Sequence, residues 1–208
     1  MRKIVSFITL FVAFAIVFAS CADSKYKKTI ENLKAAITGE SNASATYKAF
    51  SAKAAQDGFP NIAKMFAAAS AAEAIHVKSH NEVLTKLGEK EFTPVIETPK
   101  VAGMEANLQK AIEGETYEYT VMYPGFITAA KAENCDDAVN SFSLASDAEA
   151  IHAKLYTKSL NILKETNSDK TVASVWYICP KCGALFDTIE GVARCPLCGV
   201  RSASFQKF

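Results

Sequence analysis

The pentapeptide AEAIH occurs twice in this 208-residue chain, at residues 72–76 and again at residues 148–152. Each copy has a glutamate three residues before a histidine, a spacing that puts both side chains on one face of an α-helix. The repeat is longer than the pentapeptide, because residues 32–40 match residues 107–115 at an offset of 75. The AEAIH copies are 76 apart, so the second unit holds one extra residue. The chain is therefore predicted to contain two related helical units.

Each unit is long enough for two helices and a turn. Residues 58–60 and 131–137 carry turn signals in glycine, proline, asparagine and aspartate, and residues 88–100 form a longer connection with two prolines. The segments between are rich in alanine, leucine, glutamate and lysine, which favour helices. The sequence predicts four helices, at about 25–56, 60–87, 100–131 and 136–166.

Ionisable side chains interrupt the apolar stripe of each predicted helix near its middle. Apolar residues recur at steps of three and four, the spacing of a helix-bundle seam. Five glutamates and two histidines stand where leucine or isoleucine would continue these seams: Glu40, Glu73, Glu115, Glu118, Glu149, His76 and His152. An unpaired buried carboxylate costs several kcal/mol. No lysine or arginine lies on the seams to compensate.

Two metal ions would resolve this conflict, since five carboxylates carry −5 and two divalent or trivalent ions supply +4 or +6. A Glu-x-x-His pair can bind one ion, and two such pairs with glutamates from the other helices form the di-iron arrangement of ferritin-like bundles. A single Glu-x-x-His motif usually lies on a solvent-exposed helix face. Two such motifs, both on apolar seams, favour a metal site. Glu118 has no counterpart in the first unit, where Ala43 stands, and its alternative is a solvated glutamate.

The end of the chain carries a second predicted metal site. Two Cys-x-x-Cys motifs, separated by twelve residues, contribute Cys179, Cys182, Cys195 and Cys198. This spacing is typical of one tetrahedral four-thiolate site. Thiolates suit zinc or a single iron, and spacing cannot choose between them. Iron is favoured here because a redox di-metal site needs an electron source. Residues 167–174 are predicted as a linker and residues 175–208 as a small domain.

The beginning of the chain predicts export. Residues 1–20 combine a basic start with an uncharged apolar run that is shorter than a membrane span, as in a signal peptide. The stretch FASC at residues 18–21 resembles a lipobox, so Cys21 is predicted to be lipidated and to become the N-terminus, with residues 21–28 as a tether. The alternatives are a plain signal peptide or an uncleaved anchor. The protein is expected to be membrane-anchored through its lipid, facing the periplasm or the cell exterior.

Without residues 1–20 the chain has 21 basic and 22 acidic residues and no basic stripe, so nucleic-acid binding is not expected.

From about residue 32 to residue 208 the chain resembles rubrerythrin. The resemblance implies a mainly α fold, with a ferritin-like four-helix bundle over residues 29–166 and a rubredoxin-like β/knuckle metal domain behind it. It implies that the seven seam residues bind two irons, with Glu73 and Glu149 bridging or flanking both. Glu118 and His76 would exchange as ligands of one iron, and Tyr47 and Tyr123 would donate hydrogen bonds to ligands. The four cysteines would hold a third iron.

The resemblance further implies a peroxidase that reduces hydrogen peroxide to water and protects against oxidative stress. Electrons would pass from the four-cysteine iron to the di-iron site, between subunits of a homodimer or higher oligomer, and Glu118, Tyr47 and Tyr123 would take part in catalysis. The electron donor is unidentified. The alternatives are a ferroxidase or iron-handling protein with a structural zinc tail, and a lipid-anchored binding protein with structural metals. His80 stands where the family has a large apolar residue and is interpreted as a core group or a neighbour of the ligands, with a direct role in metal binding or proton transfer as the alternative. Cys135 is interpreted as an incidental thiol.

Overall fold

The computed structural model describes residues 25–208. The predicted signal peptide, Cys21 and the first half of the predicted tether lie outside these residues and stay predictions. The helical part contains α1 (Lys27–Gln56), α2 (Pro60–Lys86), α3 (Met104–Tyr117), a π-helix (Glu118–Met122), α4 (Tyr123–Ala132) and α5 (Asp136–Thr166). Between residues 25 and 208, no helix is both long enough and apolar enough to cross a membrane.

The predicted four-helix bundle is confirmed, but the third helix was wrongly expected to be continuous from residue 100. It begins at Met104, because residues 87–103 contain two prolines and form neither helix nor strand. It then passes through the π-helix before it continues as α4. Around the bundle, α1 neighbours α2, α2 neighbours α5, and α5 neighbours the α3–α4 helix, which returns to α1.

The π-helix locates the extra residue of the second repeat. Glu115 follows Glu40 by 75 residues, whereas Tyr123 follows Tyr47 by 76, so the insertion falls between Glu115 and Tyr123. A π-helical turn closes its hydrogen bonds over five residues instead of four and thereby accommodates one more residue than an α-turn. The two units therefore come back into register before the second AEAIH.

Two apolar clusters lie on either side of the acidic middle of the bundle. One contains Phe50, Phe66 and Leu108, all fully buried, and the other contains Leu33 and Phe142. Cys135 is a free thiol buried in the second cluster. Apolar burial at both ends stabilises the bundle, so the ionisable residues between the clusters can be held in place.

The N-termini of α1 and α2 are capped by acidic residues from other parts of the chain. Glu133 accepts hydrogen bonds from the backbone amides of Lys28 and Thr29, at 2.9 and 2.8 Å. Asp169, which is buried, accepts from the amides of Asn61 and Ile62 at 2.6 and 3.1 Å. A carboxylate at a helix N-terminus satisfies free amides and complements the helix dipole. Asp169 thus fastens residues 167–174 to α2.

The C-terminal segment folds onto the bundle of its own chain. Its sheet contains β1 (Tyr177–Ile178), β2 (Leu185–Phe186) and β3 (Gln206–Lys207), in the antiparallel order β2-β1-β3. Trp176 is 1 % exposed and belongs to the same apolar cluster as Phe50 and Phe66 of the bundle. The bundle and the small domain therefore share a core. The family resemblance implied contact with another chain's bundle; in the structure, which describes one chain, the contact is internal.

Replacing Asp169 by alanine is expected to destabilise the protein by about 1–2 kcal/mol, because the buried amide of Ile62 loses its acceptor. The midpoint of thermal unfolding, measured at equal metal content, should fall accordingly. Asp169→Asn keeps an acceptor oxygen and should cost less. The exposed Asp147 offers a matched control, and its alanine variant should stay within about 0.5 kcal/mol of the parent. Equal midpoints for the two alanine variants would contradict the capping role.

Candidate metal centres

Six of the seven predicted bundle ligands meet in two overlapping quartets. Glu40, Glu73, His76 and Glu149 form one quartet; Glu73, Glu115, Glu149 and His152 form the other. Within each quartet the ligand atoms lie within 4.8 Å of one another, and every residue is buried. Because Glu73 and Glu149 belong to both quartets, they are placed to bridge two ions.

The oxygen positions support this bridging geometry. Nδ1 of His76 lies 3.0 Å from Oε2 of Glu73 and 2.7 Å from Oε1 of Glu149. Nδ1 of His152 lies 3.3 Å from Oε1 of Glu73 and 2.7 Å from Oε2 of Glu149. Each of these two glutamates therefore offers one oxygen to each half of the site.

The small domain fixes the orientation of both histidines. Nε2 of His76 lies 3.0 Å from the backbone oxygen of Cys182, and Nε2 of His152 lies 3.1 Å from that of Gly183. A carbonyl oxygen only accepts, so each Nε2 carries the proton and each Nδ1 can present a lone pair to a metal. Such a hydrogen bond behind a ligating histidine tunes metal affinity and ring orientation.

The two predicted tyrosines link the repeat units. Tyr47 donates a hydrogen bond of 2.6 Å to Oε1 of Glu115, and Tyr123 donates one to Oε1 of Glu40. Each tyrosine therefore holds a glutamate of the other unit. The resemblance implied hydrogen-bond donors at these positions, and the structure contains both bonds.

Glu118 is not brought into either quartet. It is the first residue of the π-helix, is partly exposed, and lines a cavity of about 240 Å³ together with Tyr47, Phe50 and Gly114. Burial and the charges of Glu40 and Glu149 raise the pKa of Glu118 well above its ordinary value. Glu118 thus stands between this cavity and the acidic cluster, and its predicted exchange with His76 stays a prediction.

The chemistry of the buried site suits bound cations. Both oxygens of Glu73 and of Glu149, and Nδ1 of each histidine, make no hydrogen bond within residues 25–208, and their close contacts are ion pairs among themselves. Burial, reinforced by the charges of Glu149 and Glu73, raises the pKa of Glu40 to about 8. Burial lowers the pKa of His152, but Glu149 and Glu73 outweigh it and raise that pKa to about 10. The protein thus retains protons at the position where metal ions would supply positive charge.

The four cysteines form a separate cluster. Their sulfur atoms lie within 4.8 Å of one another, with Sγ of Cys179 3.3 Å from Cys198 and Sγ of Cys182 3.6 Å from Cys195. A hydrogen bond from Cys182, assisted by backbone amides of its knuckle, lowers the pKa of Cys179 to about 5. This donor set suits a thiolate-bound metal.

Comparison with known proteins agrees with this geometry. The rubrerythrin family model matches residues 31–160. The chain belongs to the rubrerythrin family. It is 36 % identical over 183 residues to nigerythrin of Nitratidesulfovibrio vulgaris strain Hildenborough, covering 87 % of this chain and 88 % of that protein. It is 37 % identical over 192 residues to rubrerythrin-2 of Clostridium acetobutylicum, covering 88 % and 98 %.

Solved structures extend the comparison. Fully reduced, all-ferrous nigerythrin matches with a TM-score of 0.76 at 34 % identity, over 86 % of each chain. The bacterioferritin of Desulfovibrio desulfuricans matches with a TM-score of 0.65 over 68 % of this chain and 83 % of that one, but at 17 % identity it shows the fold alone. The predicted rubrerythrin fold, oxidoreductase class and cofactors are confirmed, and the two quartets and the four cysteines are the candidate sites for these irons.

Sequence reasoning missed several contacts around the candidate metal centres. It left the role of His80 open, and the structure has His80 fully buried and hydrogen-bonded to Tyr123 and Ser141. It also missed Gly183, where an added Cβ would collide with Nε2 of His76. The repeat offset of 76 could have pointed to Tyr156 as the counterpart of His80, but no local pattern predicts the contact between Gly183 and His76.

Removal of iron is expected to make the stability of the protein fall as pH rises from about 5 to 8. The pKa of Glu40 rises from 4.5 to about 8 in the folded metal-free chain. A raised folded-state pKa means that the stabilisation from the bound proton is complete below pH 4.5 and is lost as pH passes 8. The raised pKa of His152 acts in the same direction at higher pH.

Thermal unfolding of the iron-free protein, followed by circular dichroism between about pH 5 and 8.5, would measure this loss of stability. Most of this pH range lies between the ordinary pKa of Glu40 and its raised pKa in the folded chain. The iron-loaded protein is the comparison, because its ligands bind metal only when deprotonated. Glu40→Gln should flatten the pH dependence of the metal-free form. A metal-free midpoint that stays constant or increases with pH would contradict the protonated cluster.

Proposed function

We propose that this protein is a peroxidase that reduces hydrogen peroxide to water and thereby protects against oxidative stress. The observation that carries the proposal is the pair of hydrogen bonds from His76 and His152 to the first cysteine knuckle. They join a site suited to two-electron chemistry to a site suited to one-electron delivery.

The route for electrons is short and consists of bonded groups. Cys182 is one of the four thiolates, its own carbonyl oxygen accepts from His76, and the next carbonyl, of Gly183, accepts from His152. The knuckle is held rigidly, since the amide of Gly183 donates to the oxygen of Cys179 at 3.0 Å. Both halves of the bundle site are therefore contacted by one turn of the iron-binding domain.

The substrate is proposed to enter from the opposite side of the bundle. The cavity of about 240 Å³ lies between α1 and α3, away from the α2 and α5 helices that carry the histidines. Tyr47 and Glu118 stand at its inner wall. When bound, the two iron ions would supply the two electrons that cleave the oxygen–oxygen bond.

Protons must arrive with the electrons, because one peroxide takes up two protons to give two waters. Glu118 is suited to this task, since burial and neighbouring carboxylates raise its pKa and keep it protonated. The hydroxyl of Tyr47 lies at the same cavity and holds Glu115 in position. These residues can bind peroxide, orient it and donate a proton.

The contact between the domains favours the peroxidase over a ferroxidase with a structural zinc tail. An electron-donating tail requires a short bonded route from its thiolates to the site histidines, and Cys182 provides one, whereas a structural zinc tail has no need of such a route. The proposed donor to the four-cysteine iron is an unidentified one-electron carrier. Assembly into a homodimer or higher oligomer, and attachment to a membrane through Cys21, are further parts of the proposal.

Gly183→Ala is expected to slow electron delivery to the bundle site by about 10- to 100-fold, because the new methyl group displaces the knuckle from His76. The rate can be followed in a stopped-flow instrument as the thiolate-to-iron absorption returns when pre-reduced protein is mixed with peroxide.

Gly199→Ala is a closely matched control. Gly199 holds the same place in the second knuckle, with φ of 75° against 73° for Gly183, but nothing lies within 4 Å of an added Cβ. Both variants carry the same backbone strain, so only the contact differs. Equal electron-transfer rates in the two variants would remove the support for this route.

Glu118→Ala is expected to lower peroxide turnover at least about tenfold, since the cavity loses its protonated carboxyl group and its proposed exchangeable ligand. Glu118→Gln keeps the shape but cannot pass on a proton, so it should be similarly slow. The exposed Glu113 on the same helix is the control, and Glu113→Ala should keep full turnover. Turnover is measured as peroxide consumption with a chemical reductant, and an unchanged rate in Glu118→Ala would reject both roles.

A further inference from the structure

A continuous line of hydrogen bonds leads away from the bundle site between α2 and α5. Nε2 of His80 lies 3.1 Å from the hydroxyl of Tyr123, which itself donates to Glu40. Nδ1 of His80 lies 2.8 Å from Oγ of Ser141, and that oxygen lies 3.1 Å from Oγ of Ser79. His80 and Tyr123 are completely buried and Ser141 is 4 % exposed, so the line runs through the protein interior.

The donors along this line all point the same way. Because Tyr123 donates to Glu40, its oxygen is free to accept the Nε2 proton of His80. Nδ1 of His80 is then the acceptor and takes its hydrogen bond from Ser141, which in turn accepts from Ser79. Burial, with a smaller contribution from the charge of His76, lowers the pKa of His80 to about 3. A neutral ring has one donor and one acceptor nitrogen, as the line requires.

The outer end of the line reaches water. Ser79 is partly exposed and lines a surface cavity of about 210 Å³, together with Lys78, Glu82, Pro180 and Lys181. This cavity lies between α2 and the first cysteine knuckle. It is separate from the cavity at Tyr47 and Glu118, whose lining comes from α1, α3, the first residue of the π-helix and the loop before α3.

The other repeat unit provides an internal comparison, because the equivalent positions there cannot form such a line. At the offset of 76, His80 corresponds to Tyr156, while Ser141 corresponds to Met65 and Ser79 to Leu155. The hydroxyl of Tyr156 is buried and has no hydrogen-bond partner in residues 25–208. A common structural requirement of the fold would be met in both units, whereas this line exists in one.

We propose that Ser79, Ser141, His80 and Tyr123 form a proton relay that carries protons from the surface cavity to the carboxylate of Glu40. For each proton that water gives to Ser79, one proton passes from Tyr123 by way of Oε1 of Glu40 to an oxygen of the peroxide being reduced, so that Glu40 is again a carboxylate and no net charge remains on the line. His80 gains a proton at Nδ1 and loses one at Nε2, so its ring must turn over or the protons must shift back before the next transfer. His80 and Ser141 are relay residues that act through Tyr123.

The use of the relay rests on the proposed peroxidase function, which consumes two protons per peroxide. Substrate would then enter at one face of the bundle while protons enter at the opposite face, next to the domain that delivers electrons. The relay itself is a property of the protein and can be tested without any turnover.

The test uses the full-length chain loaded with zinc, which is diamagnetic and redox-inert, and labelled with ¹⁵N in its histidines. NMR spectroscopy should find His80 as the Nε2–H tautomer and should show exchange of this buried proton with water. In Ser141→Ala the exchange should slow at least about tenfold, because one relay step is lost. Ser141→Thr restores the hydroxyl and should restore the exchange rate.

Ser159→Ala is the matched control. Ser159 is a serine of the same helix, 2 % exposed, whose hydroxyl contacts Met65 outside the line, so its variant should exchange at the parental rate. Ser79→Ala interrupts the outer end at a partly exposed position and should slow exchange even if Ser141→Ala does not fold. An Nδ1–H tautomer, or parental exchange in the folded serine variants of the line, would overturn the relay. Failure of the parent to consume peroxide, with the exchange results intact, would instead reject the proposed function alone.

Discussion

The structure depends on the electrostatic cost of buried carboxylates, which two cations can offset. Glu40, Glu73, Glu115 and Glu149 are fully or almost fully buried, and their ionic partners are two histidines rather than a lysine or an arginine. Removing one partner from a buried charge is strongly destabilising. The apolar clusters at both ends of the bundle hold the acidic layer together, and the shared use of Glu73 and Glu149 makes it a two-ion site.

The proposed reaction needs electrons, substrate and protons, and the acidic layer lies where their proposed paths meet. The histidines face the four-cysteine domain, the cavity at Tyr47 and Glu118 lies across the bundle, and the hydrogen-bonded line from His80 runs out between α2 and α5. The proposed substrate path thus lies on one face of the bundle, and the proposed electron and proton paths lie on the opposite face. The separation follows from the order of helices around the bundle, since α1 and α3 share one interface and α2 and α5 share the opposite one.

Most of the fold, and the meeting of six of the seven predicted ligand residues, could be predicted from the sequence, because both follow from local periodicity. The AEAIH repeat fixed two ligand pairs, and a charge on an apolar seam has few physical explanations. The position of Glu118 outside the quartets could not be predicted, since Glu118 begins a π-helix and a π-helix has no clear composition signal. The helix caps provided by Glu133 and Asp169 could not be predicted either, because they join segments more than a hundred residues apart in the sequence.

The hydrogen bonds that fix the tautomer of His76 and His152 have a consequence for whether the bundle can be separated from the C-terminal domain. The carbonyl oxygens that accept from Nε2 of His76 and His152 belong to residues beyond the bundle. A bundle expressed alone would keep the two quartets but would lose the hydrogen bonds that fix the tautomer and orientation of both imidazole rings. With Trp176 removed as well, its apolar interior would open to solvent. The small domain is therefore not a separable attachment, because it supplies the acceptors for both histidines and part of the apolar interior of the bundle.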